Sequence, residues 1–193
     1  LRRRIEPGWR YNAAQWCLKL LFGRPWHLIS PWPMAGPGAA AVIFYQGKVL
    51  LHQRRGKIEQ PGKWGCNGGY LDLNLEETFN QGLAREVFEE TGLRFVPESF
   101  GTPIWVAMFY HQQKYEMADH AGVGCWYAAE APEDLLPLLQ ETDEAHNFRW
   151  VSEAEVATLK ACSELASEET AEALRRAFAQ AKIGSLPRLV LAD

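Results

Sequence analysis

Apolar and polar positions alternate in short runs along most of the chain, and each run predicts an element. Residues 39–45 and 48–53 are strand-like and flank Gln46-Gly47, the signal of a β-hairpin. Residues 57–69 carry Pro61 and the glycines Gly62, Gly65, Gly68 and Gly69, so a loop with tight backbone demands is expected there. Residues 75–91 follow a helical period, with Asn74 as N-cap, Glu77 in the capping-box position and Gly92 as the stop. Residues 104–110, 122–127 and 148–151 read as further strands. Ser152 and Glu155 form a second capping box that opens a helix. A last helix spans 164–182, with Leu174, Ala177, Phe178 and Ala181 on one face and Glu172/Arg176 as a supporting pair. This order predicts an α/β fold, a mixed central sheet sandwiched between helices.

The first 35 residues have a different pattern. Residues 11–22 read as a helix whose polar positions Asn12, Gln15 and Lys19 form one narrow stripe. The remainder is apolar and includes Trp16, Leu20 and Phe22. Four of the eight tryptophans (Trp9, Trp16, Trp26 and Trp32) fall in this stretch, so it needs a covering surface. Residues 30–38 hold three prolines and two glycines and read as a linker. The expected organisation is therefore an N-terminal amphipathic extension with its linker, residues 1–35, and a main domain, residues 36–193. The extension is expected to pack on that domain or on a second copy in a homodimer. Arg2, Arg3 and Arg4 beside the apolar face also suggest a membrane-surface role.

Composition narrows the classes of partner. The 20 Lys and Arg against 24 Asp and Glu give a net charge of −4, with no general electrostatic reason for binding nucleic acid. No apolar run approaches the ~18 residues of a membrane span. The four cysteines lie between 37 and 59 residues apart, with neither zinc nor disulfide spacing, and a reducing cytoplasm is the expected setting.

The chemistry concentrates in Gly68-Gly69-Tyr70-Leu71-Asp72 and in the run from Arg85 to Leu93, Arg-Glu-Val-Phe-Glu-Glu-Thr-Gly-Leu. On a helix Glu86, Glu89 and Glu90 fall at i, i+3 and i+4, so the three carboxylates share one face. Such a cluster repels itself unless a cation neutralises it, and hard oxygen ligands suit Mg²⁺ or Mn²⁺. Arg85 is placed to orient Glu86.

Together these residues resemble the signature of the Nudix hydrolases. The strand 49–54, the loop Gly62-Lys63-Trp64-Gly65 and the strand Phe148-Arg149-Trp150-Val151 are similar to the segments that flank it in that family. The resemblance implies a Nudix-type α/β/α sandwich. It implies metal-dependent cleavage of a phosphoanhydride in a nucleotide or a nucleoside diphosphate-linked small molecule. It implies Glu86, Glu89 and Glu90 as metal ligands, with Gly69 contributing its carbonyl. A general base is expected on a later loop, Glu144 first, with Asp143, Glu141 and Glu116 as alternatives and Glu86 as a further candidate. Arg54 and Arg55 are expected to hold a substrate phosphate, and Tyr110 to stack on a base.

Two departures from the family pattern stand out. The loop from Gly69 is two residues longer than usual, which leaves open whether Glu76 or Glu77 reaches the metal site. Asn67 stands where the family commonly has Pro, a change expected to alter loop stiffness without touching a ligand. Two rival functions remain: a non-catalytic Nudix-fold sensor, and a membrane-surface enzyme acting on a lipid-linked diphosphate.

Overall fold

A computed structural model of the chain describes residues 17, 20, 34–56, 60–72, 75–110 and 120–192. Of residues 1–33 it therefore describes only Cys17 and Leu20, both helical and exposed; the rest of the predicted helix 11–22 lies outside the described residues. Contacts group Gly36–Phe109 and Val123–Asp193 into one compact unit, which carries the Gly68-Gly69 pair, the helix Phe79–Thr91 and the Glu144 loop.

A seven-stranded sheet forms the frame. β1 (Met34–Tyr45) pairs antiparallel with β2 (Lys48–Arg54), with Phe44 opposite Val49. Gln46 and Gly47 both have positive φ, the backbone of a two-residue hairpin turn, as the sequence predicts. β3 (Trp64–Gly65) pairs with β2, and β4 (Asn67–Tyr70) pairs with β1. β5 (Trp105–Tyr110) lies beside β6 (His120–Glu130), and β7 (Ala145–Val151) pairs with β2. The order is β3-β2-β1-β6-β5, with β4 and β7 attached to β1 and β2.

Alternation along β1 supplies both faces of the sheet. Val42 and Phe44 enter one core with Leu51, Trp126, Leu174 and Phe178. Ala41 and Ile43 enter the other with Leu50, Leu83, Val87 and Tyr127. The first face is covered by α3 (Glu168–Ile183), whose Phe178 ring meets Phe44 edge-on at 5.2 Å between centroids. The second is covered by α1 (Phe79–Thr91). α2 (Glu153–Ala161) opens on the predicted Ser152–Glu155 capping box. Burying a side chain such as Leu83 or Phe178 stabilises the sandwich by about 1.5–3 kcal/mol.

Several boundaries differ from the sequence reading: the strands read at 122–127 and 148–151 extend over His120–Glu130 and Ala145–Val151, and the helix read over 164–182 begins at Glu168, where Ser167 caps it. The predicted linker 30–38 ends early, because β1 begins at Met34. Pro37 has no N–H but offers its carbonyl to Leu71 N at 2.9 Å, and Gly38 pairs opposite Tyr70. The predicted loop 57–69 contains β3 and β4, since two short strands find partners that a local reading does not see. The predicted helix 75–91 begins only at Phe79, because Thr78 and Gln81 form the capping box and Glu76 takes φ +51°, which a helix does not propagate through. Asn74, the expected cap, lies outside the described residues.

Among the described residues no helix is long and apolar enough to cross a membrane. Cys17, Cys66, Cys125 and Cys162 are all free thiols.

Candidate functional site

The site forms where β4 meets α1. The β1–β4 ladder sets Gly68 opposite Ala40 and Gly69 opposite Ala39. Gly68 has φ +149°, and a Cβ there would lie 2.5 Å from Ala40 Cα, so only glycine fits. A Cβ on Gly69 would lie 2.6 Å from Cδ of Glu86. The paired glycines thus let the Glu86 carboxylate come down onto the strand backbone.

α1 presents Glu86 and Glu90 inward, 5% and 4% exposed, whereas the Glu89 side chain keeps 29% of its surface. Glu90 Oε2 accepts hydrogen bonds from Gly68 N–H at 2.9 Å and Asn67 Nδ2 at 3.1 Å. Burial pushes the Glu90 carboxyl up to about 8, helped by the charge of Glu86, while the bonds from Gly68 and Asn67 and the charge of Arg54 oppose the rise.

Arg85 ties this face together. Its Nε and Nη2 bind the Glu77 carboxylate at 3.0 and 2.6 Å. Nη1 donates to Glu86 at 2.7 Å and reaches Glu89 at 3.5 Å, and Nη2 also donates to the Tyr70 carbonyl at 3.0 Å. These hydrogen bonds, those to Glu77 foremost, raise the Arg85 pKa further and hold Glu77 below the usual carboxylate range. Glu77 also accepts from Asp72 N–H at 2.5 Å. The capping role expected for Glu77 is therefore replaced by a clasp on Arg85. Arg85 for its part is a tether that orients Glu86 and Glu89, spoken for on every side rather than free to contact a phosphate. A Cβ on Gly82 would meet Glu77 Oε1 and Leu71 Cγ at 3.0 Å, so this glycine makes room for the clasp.

Asn67 corrects a second expectation. It is 1% exposed and touches Glu90, so the residue standing in place of Pro bears directly on a candidate ligand. The same Nδ2 lies 3.2 Å from Nδ1 of His52, which is fully buried. Burial holds the His52 imidazole down at about 3, with the charges of Arg54 and His146 acting in the same sense. Sequence reasoning missed both Asn67 and His52. The signal that pointed to Asn67 was its departure from the family pattern directly before Gly68-Gly69.

The remaining candidates divide by position. Arg54 is half-buried at the end of β2, and its charge acts on Glu90. Arg55 is exposed, its side chain keeping 55% of its surface, with Nη1 3.8 Å from Glu141. Glu144 is half-buried on a loop drawn to the site: its carbonyl accepts from Arg55 N at 2.8 Å, and Thr142 Oγ1 before it lies 3.4 Å from the Glu90 carbonyl. Tyr110 ends β5, but its side chain and all of Glu116 lie outside the described residues.

Among the described residues no three His, Cys, Asp or Glu side chains are gathered as a metal cage; Arg85 bridges Glu86 and Glu89. The chemistry of the donors nevertheless fits a hard divalent cation. Glu86 and Glu90 are carboxylates buried against the β4 backbone, where a charge left without a counter-ion is costly, and burial raises the Glu90 carboxyl accordingly.

The family model described as the NUDIX domain matches residues 34–177. The chain belongs to the Nudix family. Among curated Nudix relatives, a MutT-like protein of Streptomyces ambofaciens is 39% identical over 75 residues, covering 39% of this chain and 45% of its own length. A CTP pyrophosphohydrolase of Escherichia coli K12 is 41% identical over 54 residues, 28% of this chain and 38% of the relative. The chain thus spans less than half the length of these curated relatives. The crystal structure of the MutT protein from Methanosarcina mazei Go1 shares the Nudix fold, with TM-score 0.60, 21% identity, and coverage of 80% of this chain and 100% of that one.

Proposed function

We propose that the protein is a metal-dependent Nudix pyrophosphohydrolase that cleaves a phosphoanhydride in a nucleotide or a nucleoside diphosphate-linked small molecule. The observation that carries this reading is the burial of Glu86 and Glu90 against Gly68-Gly69, on the helix that the Nudix signature occupies. The Escherichia coli relative, a CTP pyrophosphohydrolase by name, agrees with a nucleotide substrate.

In this reading Glu86, Glu89, Glu90 and the Gly69 carbonyl hold a divalent cation, Mg²⁺ or Mn²⁺. Such a cation, when bound, neutralises phosphate oxygens and lowers the pKa of a water. Arg85, clasped by Glu77, keeps Glu86 and Glu89 aimed at the site. Arg54 supplies positive charge for a substrate phosphate near Glu90. Glu144 takes a proton from the attacking water. Water adds to phosphorus, the bridging P–O bond breaks, and its electron pair leaves with the departing phosphate. A homodimer built through residues 1–35 is part of the same proposal, and light scattering on the full chain tests it.

The test of function is a hydrolysis panel with Mg²⁺ and with Mn²⁺: canonical and oxidised nucleoside triphosphates, ADP-ribose, sugar nucleotides and dinucleoside polyphosphates. Release of a nucleoside monophosphate that EDTA abolishes supports the reading. Absence of turnover across the panel with either metal overturns it.

A further inference from the structure

Three buried polar side chains stand in a row beside the site: His52 on β2, Asn67 on β4 and Glu90 on α1, exposed by 0%, 1% and 4%. The Asn67 amide nitrogen joins them, 3.1 Å from Glu90 Oε2 and 3.2 Å from His52 Nδ1. Glu90 Oε2 already accepts the Gly68 N–H, so the nitrogen end of the amide faces it, and the amide's second hydrogen is directed at His52. His52 Nδ1 is then the acceptor and its proton sits on Nε2.

This row is costly in one respect. His52 Nε2 and Asn67 Oδ1 are both buried without a hydrogen-bond partner. A core selected for stability alone fills such positions with apolar side chains, and unsatisfied buried polar atoms call for a reason. The geometry at Glu90 provides one. Asn67 and Gly68 N–H converge on the same carboxylate oxygen, Oε2, which fixes the rotation of the carboxylate plane. Both bonds go to Oε2 and neither to the other oxygen, Oε1.

We infer that Asn67, backed by His52, is a positioning residue that holds Glu90 by Oε2 so that Oε1 is presented to the cation. The inference rests on the reading of Glu90 as a metal ligand. It assigns a task to a residue that departs from the family pattern. His52 acts through Asn67: its acceptor stops the amide from turning away from the carboxylate. Partners of this kind typically set metal affinity by about 10–100-fold.

The experiment is Mn²⁺ titration of the metal-free full chain, by calorimetry or by loss of the free-ion EPR signal, on the parent, Asn67→Ala, His52→Phe and the double variant. Tm in EDTA is recorded for each. Asn67→Ala is expected to weaken Mn²⁺ binding at least about 10-fold and to keep its metal-free Tm within about 4 °C. His52→Phe keeps a ring beside Phe148 and is expected to weaken binding by about threefold to tenfold. In the double variant the two losses do not add, because His52 has nothing left to hold. A Kd within twofold of the parent for Asn67→Ala, or additive losses, overturns the inference. Should Asn67→Ala fail to fold, an unchanged Kd in His52→Phe overturns it alone. A parent that binds no Mn²⁺ overturns both this inference and the metal-dependent reading, whereas a parent that binds with all variants unchanged overturns the inference only.

Discussion

Glu77→Gln tests the Arg85 clasp. The substitution keeps the shape of the side chain and removes its charge. Glu77 binds Arg85 at 3.0 and 2.6 Å, with side-chain exposures of 7% and 22% for Glu77 and Arg85. Hydrogen bonds to charged groups contribute about 1.5–3 kcal/mol each. Glutamine retains one carbonyl acceptor, and Arg85 retains Glu86, Glu89 and the Tyr70 carbonyl, so only part of that total is lost. The expected loss at pH 7 is about 2 kcal/mol, or roughly 4–8 °C in Tm for a chain of this size. The pH dependence carries a sign. Arg85 holds the Glu77 carboxyl below its ordinary value, so its stabilising share is present above the unfolded value of ~4.3 and is lost as pH falls through the lowered one. Urea unfolding of parent and variant is therefore expected to show a gap at pH 7 that begins to close below about pH 4. A gap under about 0.5 kcal/mol at pH 7, the usual scatter of surface substitutions, refutes the clasp. A gap that persists undiminished down to pH 3 refutes the electrostatic reasoning behind it.

Further expectations concern the site and its surroundings. Glu89→Gln keeps the fold and lowers turnover on the best panel substrate by at least about 100-fold, read from steady-state kinetics and far-UV circular dichroism. Gly69→Ala places a methyl 2.6 Å from Glu86 Cδ and is expected to displace that carboxylate, lowering turnover at least about 10-fold with a smaller change in KM. His52 stays neutral when folded down to about 3, so below its unfolded value of ~6.5 the unfolded state gains the proton and stability falls. That share amounts to about 1.4 kcal/mol between pH 7.5 and 5.5, and parallel urea curves for parent and His52→Phe over this window would show it absent.

Much of this was legible in the sequence where the signal is local. The Gln46-Gly47 turn, the Ser152–Glu155 capping box and the Gly92 stop, at φ +77°, each follow from residue types a few positions apart. The carboxylate face of α1 follows from helical spacing alone. What escaped depends on partners distant in the chain. Met34 to Gly38 reads as linker until β4 arrives to pair with its end. Glu77 sits where a capping glutamate belongs, and only the return of α1 past the loop shows that Arg85 claims it. His52 reads as one of five scattered histidines, and its burial beside Asn67 comes from the pairing of β2 with β3.

The central claim, that the carboxylates of α1 support hydrolysis of a phosphoanhydride, meets its most direct test in one measurement. The best substrate of the panel is turned over in ¹⁸O-labelled water with Mg²⁺, by the parent and by Glu90→Gln side by side, and the products are read by mass spectrometry. The expected result is a single ¹⁸O in one of the two phosphoryl products from the parent, formed at least about 100-fold more slowly by the variant. Equal rates from parent and variant, or label-free products, would contradict it.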